Sequence, residues 1–353
     1  MPWSAIDALD DARRATTDLL LPFDAGRWLR LAVIAFFLGS ASSGFQGGTN
    51  FGGGGGTPGS PGGPGGIPGG IPEFGAFVTV FLLVAGVILL LVLAGVFVGS
   101  VLEFVLVEGL RDREIRLREP FGRYLGAGFG LFLFRVVLFL VVAAVILVPA
   151  GLLITGGLAG DPSVVLLVFP LILVALVAGL TVALIDLLTR DLVVPAMFAE
   201  ERGVLSGWRR IWGVLRREWR QLGVYVLARI VLSVAAGIAV GLVVTLALLI
   251  VAIPFVLVGG VLFAALTAVG SGTIGLGGWL LLGVVGVLFL LAALAVSAVV
   301  QVPVVTYFRY YSLFVLGDVE PDLDVLADLR ADEWDDSANS DGDDGDGSTP
   351  TSA

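Results

Sequence analysis

The longest uninterrupted apolar stretch constrains the fold of this chain more than any other feature. Residues 222–269 are apolar over 48 positions, interrupted only by Arg229, Pro254 and Gly259-Gly260. A helix needs about 20 such residues to cross the roughly 30 Å hydrocarbon core of a bilayer. The stretch therefore predicts membrane-embedded helix, either as one long kinked helix or as two helices joined by a tight turn.

Similar apolar stretches elsewhere predict an all-α, polytopic integral membrane protein with about six transmembrane helices. The predicted spans are Trp28–Phe45, Phe74–Leu102, Phe129–Ile154, Val164–Leu188, Leu222–Leu257 and Trp279–Val302. The first is the weakest, because Arg30 lies near its start, and a re-entrant segment is its alternative. We prefer six spans to seven, because six keep Arg309 on the same side as the other cations.

Composition supports a membrane protein and removes most common catalytic groups. The chain is 57% hydrophobic and 14% charged, with a mean hydropathy of +1.02, whereas a soluble domain is about 25% charged. Histidine and cysteine are both absent, so the chain has no imidazole base, thiolate nucleophile or disulfide. We therefore predict no enzyme activity, no catalytic residue, no cofactor and no metal site.

Arginine is confined to alternate loops, which predicts the orientation. The loops 44–73, 155–163 and 258–278 contain no arginine. By the positive-inside rule, the arginine-bearing loops and the N-terminus face the cytoplasm of a multi-pass cell-membrane protein. The cations in those regions are Arg13, Arg14, Arg27, Arg30, Arg111, Arg113, Arg116, Arg118, Arg123, Arg190, Arg202, Arg209, Arg210, Arg216, Arg217 and Arg220.

The two ends of the chain are predicted to lie outside the transmembrane domain, residues 24–317. Residues 1–23 predict an amphipathic cytoplasmic helix on the membrane surface, with Trp3, Ile6, Leu9 and Leu20 on its apolar stripe. A soluble frayed arm is the alternative. Residues 318–353 hold thirteen acidic residues and one arginine, which predicts a disordered cytoplasmic tail.

Residues 44–75 form a low-complexity loop between the first two predicted spans. They contain sixteen glycines and five prolines, so they offer too little apolar surface to fold. We predict a disordered external loop.

Four ionisable residues fall inside or at the ends of spans, where each needs a partner or a task. Gly95, Gly99 and Glu103 recur every four residues in the second span, and Arg229, Ser233, Gly237 and Gly241 do so in the fifth. Antiparallel packing of these small-residue faces predicts an ion pair between Glu103 and Arg229. A second pair is predicted between Arg135 and Asp186. A structural role in helix register is favoured over a proton or ion relay and over simple snorkelling.

The third arginine-rich loop interleaves tryptophan with arginine and predicts an interfacial helix. At helical spacing one face carries Trp208, Ile211, Trp212, Leu215 and Trp219. We predict that anionic lipid head groups bind Trp208, Arg209, Trp212, Arg216 and Trp219. A nucleic-acid surface has the same composition, but the position between two spans favours lipid, so no nucleic-acid partner is expected.

Two sets of motifs resemble known membrane families. The stretch from Leu192 to Val204, followed by Gly207-Trp208-Arg209-Arg210-Ile211-Trp212, resembles membrane domains attached to glycerophosphodiester phosphodiesterases. The wider frame, including Pro22-Phe23-Asp24 and Phe121-Gly122-Arg123-Tyr124, is similar to uncharacterised multi-pass proteins of halophilic archaea. The chain has arginine but no lysine, and its C-terminal segment is acidic; both features resemble the coding bias of extremely halophilic archaea. The resemblance implies a membrane architecture and no activity.

Three functions remain open on the sequence. The preferred function is a non-enzymatic membrane organiser that binds lipids or a protein partner, including a second copy of the chain. A transporter or channel for a small solute or ion is the alternative. A lipid head-group enzyme would rest on the resemblance alone.

Overall fold

The computed structural model describes residues 4–46, 74–158, 163–200, 203–269 and 274–327, and within these ranges the protein is helical with no β-strand. The all-α prediction is confirmed for this part of the chain. The α-helices are α1 (Ser4–Leu20), α2 (Ala25–Gln46), α3 (Phe74–Arg111), α4 (Arg118–Arg123), α5 (Leu125–Leu158), α6 (Ser163–Leu188), α7 (Val194–Glu200), α8 (Val204–Arg217), α9 (Trp219–Val269) and α10 (Leu276–Val319). A π-helical segment, Thr189–Val193, joins α6 to α7, and a 3₁₀ turn, Pro321–Leu323, follows α10.

Five of these helices are long and apolar enough to cross a membrane. Their apolar portions are Phe81–Arg111, Leu125–Gly151, Phe169–Glu200, Trp219–Ala268 and Leu276–Val319. In the described structure α2 packs against α3, α5 against α6 and α9 against α10. A sixth crossing by α2 and an arrangement of three hairpins stay predictions.

The apolar stretch that begins at residue 222 is one continuous helix. Helix α9 has 51 residues with Pro254 inside it, and at 1.5 Å per residue its length is about 77 Å. Because the hydrocarbon core spans about 30 Å, a helix of this length must tilt or extend past the membrane boundary.

Two helices continue beyond the predicted ends of their spans. The sixth predicted span ends at Val302, directly before Pro303, but α10 continues through this proline to Val319. The fourth predicted span ends at Leu188, but the chain stays helical through the π-helical segment into α7, which contains Pro195. Proline removes one backbone hydrogen bond, and burial of the residues that follow each proline compensates for that loss.

Buried residues concentrate at one end of the helices, which we call the base. The base comprises α1, α4, α7, α8, the π-helical segment, the first turns of α2, α5 and α9, and the last turns of α3, α6 and α10. Every residue from Phe308 to Gly317 of α10 is buried. A helix buried on all sides lies inside a core, so this part of α10 is the centre of the base.

The remaining apolar lengths of α3, α5, α6, α9 and α10 are called the arms. Large apolar side chains along them are exposed, including Leu249 at 62% and Ile250 at 70%. Surface of this extent is typical of a protein solvated by acyl chains, because patches this large are rare on soluble monomers.

The predicted N-terminal helix forms as α1, and it packs into the base. Helix α1 buries Ala8, Ala12, Ala15 and Leu19 and packs against α10, so this face contacts protein; its position on the membrane surface stays a prediction. Small alanines allow this close approach. The side chains of Trp3 and Ile6 lie outside the described residues.

The segment that follows α10 is also folded, although residues 318–353 were predicted to be disordered. Leu323, Val325 and Leu326 are buried in the core. The prediction of disorder rested on the high content of acidic residues. It overlooked these apolar residues, which alternate with the acids and pack into the core. Residues 328–353 and most of the glycine/proline loop lie outside the described residues.

Candidate functional site

A network of charged side chains crosses the boundary between the base and the arms. Arg135 of α5 is 7% exposed and Glu103 of α3 is 2% exposed. Arg135 Nη2 donates to Glu103 Oε1 at 2.5 Å, and its Nε lies 3.5 Å from Asp186 Oδ1 on α6. Arg190 Nη2 lies 2.7 Å from Asp186 Oδ2. The network therefore ties three neighbouring helices together.

A second group of charges surrounds Asp191 in the π-helical segment. Tyr225 Oη donates to Asp191 Oδ2 at 2.7 Å, and Arg229 Nε donates to the same oxygen at 3.1 Å. The Arg229 guanidinium stacks over the Phe308 ring, with Cζ 3.7 Å from the centroid. A partly desolvated cation over an aromatic face gains about 2 kcal/mol, so this contact fixes α9 against α10.

The π-helical segment joins the two groups of charges. Its Arg190 contacts Asp186 in the first group, and the adjacent Asp191 contacts Tyr225 and Arg229 in the second. Arg309 of α10 lies between them and donates to the Arg190 carbonyl and, at 3.3 Å, to the Glu103 carbonyl. The Nε of Arg309 is buried without a hydrogen-bond partner among the described residues. Because π-helical turns often occur at functional sites, this segment is the natural centre of the network.

The predicted pair between Glu103 and Arg229 is wrong. Glu103 contacts Arg135, and Arg229 contacts Asp191. The physical reason is helix order, since α3 packs against α2 and α5 whereas α9 packs against α10. The other predicted partners, Arg135 and Asp186, do lie together.

The small-residue faces predicted to pack α3 against α9 do not do so. A methyl group on Gly95, Gly237 or Gly241 would have no neighbouring atom within 4 Å in the described structure. Gly99 of α3 is buried. Ser233 of α9 accepts a hydrogen bond on its Oγ from Arg229 Nη1 of the same helix at 2.7 Å. Close approach occurs instead at Gly128 of α5, where a methyl group would lie 2.9 Å from Val101 Cα.

Helix α8 presents three faces, each with a different partner. Val204, Gly207, Ile211 and Val214 are buried in the base. On the second face, Arg210 and Arg217 contact acidic residues of the segment after α10. The third face is open, and we call it the basic–aromatic stripe. It consists of Leu205, Arg209, Trp212 and Arg216.

The structure divides the residues predicted to bind lipid head groups. Trp212 is 48% exposed with Arg216 Cζ 5.3 Å from its ring, and Trp219 is 64% exposed with Arg220 Cζ 5.5 Å from its ring. Arg209 is exposed as well. Trp208 differs, because its half-buried ring packs 6.5 Å from Phe134. The predicted single tryptophan face is therefore wrong for Trp208 and for the buried Ile211.

The turn between α3 and α5 carries a separate set of ion pairs. Arg123 Nη1 donates to Glu108 Oε1 at 3.0 Å, and Tyr124 stacks 5.8 Å from Phe104. Burial raises the pKa of Tyr124, and its contact with Glu108 adds to the effect. Arg116 hydrogen-bonds Glu114 and lowers the pKa of that exposed carboxyl. These contacts are typical of a structural turn.

Two cavities in the described structure lie at the base. One of about 530 Å³ lies along α1 between Asp10 and Asp18, and one of about 340 Å³ lies at the turn that contains Glu114. No group of three or more carboxylates suited to a metal ion occurs among the described residues. The open stripe on α8 and the buried network are the two features considered below.

Comparison with known proteins places the chain in a family. Residues 3–326 match DUF7544, a family of unknown function. The chain belongs to this family. No curated protein and no solved structure matches it. The DUF7544 match ends at Leu326, which is also the last buried residue before the acidic tail.

Proposed function

We propose that this DUF7544 protein is a non-enzymatic, multi-pass protein of the cell membrane whose base binds anionic lipid head groups on the cytoplasmic side. The basic–aromatic stripe of α8 carries the proposal. Its exposed arginines match phosphate chemistry, and its exposed Trp212 and Leu205 are apolar anchors. Cations near an anionic leaflet each contribute about 1 kcal/mol.

The position of the stripe supports a lipid partner. Helix α8 packs against α5, where Trp208 contacts Phe134 one residue before the membrane-boundary charge Arg135. Helix α9 begins two residues after α8 ends. A stripe at this depth faces head groups, and tryptophan is enriched at that level. The cytoplasmic orientation rests on the one-sided distribution of arginine.

The resemblance to membrane domains of glycerophosphodiester phosphodiesterases and to halophilic archaeal proteins fits this role without supplying an activity. A transporter or channel for a small solute or ion is the second candidate. The buried charge network favours it, because charges at membrane depth often mark ion pathways.

The lipid proposal is tested by native mass spectrometry of protein released from nanodiscs that contain phosphatidylglycerol and phosphatidylcholine. Trp212→Ala with Arg216→Ala removes one anchor and one cation, so phosphatidylglycerol retention should fall about tenfold. The matched control is Phe169→Ala with Arg116→Ala, which removes an exposed aromatic residue and an exposed arginine elsewhere. Equal retention by the stripe variant and the wild type would refute the proposal.

A further inference from the structure

The segment after α10 binds α8 through charges. Arg210 Nη2 donates to Glu320 Oε1 at 2.8 Å and lies 3.5 Å from Asp322 Oδ2. Arg217 Nη2 donates to Glu320 Oε2 at 3.1 Å. Both oxygens of one carboxylate are therefore bound by arginines two helical turns apart on α8. The chain leaves the base beside this helix.

The adjacent face of α8, the basic–aromatic stripe, carries further arginines. Arg209 and Arg216 on the stripe, and Arg220 just beyond it, are exposed. Within the described part of the chain, their guanidinium groups form no ion pair; Arg216 and Arg220 lie over tryptophan rings instead. An exposed set of arginines without carboxylate partners attracts anions.

The sequence places such an anion within reach. Residues 328–346 contain nine acidic residues and one arginine. From Asp322, which contacts Arg210, the five residues to Ala327 extend at most about 17 Å, at roughly 3.4 Å per residue. Arg210 and Arg216 are about 9 Å apart along the helix axis. Ala327 therefore lies within about 17 Å of Asp322, and the 19 residues that follow it are long enough to cover the remaining distance to every arginine of the stripe.

We propose that the acidic tail, residues 328–346, binds Arg209, Arg216 and Arg220 and competes with anionic lipid for them. The tail continues a contact that already exists, because Glu320 and Asp322 of the same segment bind Arg210 and Arg217 on the adjacent face. Tethering gives the tail an effective concentration of the order of millimolar, so several weak, solvent-exposed ion pairs suffice. The competing half of this proposal rests on the proposed function, whereas tail binding does not.

Tail binding is tested in the full-length protein by electron paramagnetic resonance distances. The chain lacks cysteine, and a side chain at Gly213 of α8 would meet no neighbour, so Gly213→Cys and Ser340→Cys introduce two spin labels cleanly. In phosphatidylcholine nanodiscs we expect a short-distance population that Arg209→Gln with Arg216→Gln removes. Arg116→Gln, on an exposed arginine paired with Glu114, is the control. A distribution that is long and unchanged by the stripe variant would overturn the proposal.

Competition is tested by adding phosphatidylglycerol to the nanodiscs and by changing the nine tail acids to their amides. Phosphatidylglycerol should reduce the short-distance population, and the amide tail should raise phosphatidylglycerol retention about fivefold, as expected for removal of a few exposed ion pairs. Raised salt should weaken tail binding, because the Debye length falls below about 10 Å above 0.1 M. A short distance that ignores phosphatidylglycerol would overturn competition. If the amide-tail protein also retained no phosphatidylglycerol, the proposed function would fail while tail binding stood.

Discussion

The base and the arms both carry many large apolar side chains, but only the base buries them within the protein. In the base, Leu316 is 1% exposed, and in the arms Leu249 is 62% exposed. The arms belong to the helices that are long and apolar enough to cross a membrane, and lipid tails are as apolar as leucine. The hydrophobic effect therefore compacts the base strongly and the arms hardly at all.

Charge follows the same division. Within the described residues Arg309 is the only ionisable group between Arg229 and Asp318 other than tyrosine, so the arm portions of α9 and α10 carry none. The network of Glu103, Arg135, Asp186 and Arg190 lies where the arms enter the base. Buried charges are tolerated there because each cation has a carboxylate or carbonyl partner. The comparison predicts that substitutions have large effects in the base and small effects in the arms.

The largest effect is expected at Glu103. Glu103→Gln leaves Arg135 buried with its closest anion removed, so the free energy of unfolding should fall by about 3–5 kcal/mol. Denaturant or thermal unfolding in mild detergent measures it. Glu114→Gln is the control, because Glu114 belongs to an exposed pair whose loss should cost less than about 1 kcal/mol.

This variant also separates the two candidate functions. If Glu103 only orders helices, proteoliposomes should show no ion or solute flux that depends on it. A wild-type flux abolished by Glu103→Gln at unchanged stability would contradict the structural role and favour a transporter.

A pair of leucines sharpens the comparison next. Leu316→Ala should destabilise the protein by about 2–5 kcal/mol, because it leaves a cavity in the base. Leu249→Ala removes the same atoms from a lipid-facing position, and we expect a change below about 1 kcal/mol. Similar losses at both sites would show that the arms are packed against something other than lipid.

Replacing glycine by alanine should change the free energy of unfolding least. Two such replacements test which glycines are sites of helix packing. A methyl group at Gly128 would press against Val101, so Gly128→Ala should cost about 1–3 kcal/mol. Gly237→Ala on α9 meets no neighbour and should stabilise the helix by up to about 1 kcal/mol. Helix unfolding followed by circular dichroism compares them. Destabilisation by Gly237→Ala would restore the small-residue face to a packing role.

Local patterns predicted much of the fold but failed where helix neighbours had to be chosen. Apolar length identified five long helices, and it also suggested that Arg135 and Asp186 enter the membrane at similar depth. The same reasoning paired Glu103 with Arg229, because spacing of four residues on each helix cannot tell which helices are adjacent. Ser100 lies one turn before Glu103 on the same face of α3, so the sequence does contain a second polar group beside Glu103. In the structure Arg135 Nη1 donates to the Ser100 Oγ at 3.1 Å.

Asp191 and Arg190 show a second limit. They follow an apolar span and read as ordinary loop charges, yet the chain stays helical there and carries them into the network. The spacing of Asp186 and Arg190, four residues apart, predicts contact on a helix, but only if the helix is known to continue. The π-helical turn that directs Asp191 toward Tyr225 has no signature in the local sequence.

The sequence alone indicated long apolar helices suited to a membrane and arginines confined to alternate loops. Both features can be read from short stretches of sequence, without knowledge of which helices are neighbours. The tertiary structure decided which helices touch, that α1 and the segment directly after α10 join the base, and which carboxylate meets which arginine. Those choices depend on contacts between residues up to about 300 positions apart, such as Tyr307 with the Leu9 carbonyl. Such contacts form only when the whole core packs together.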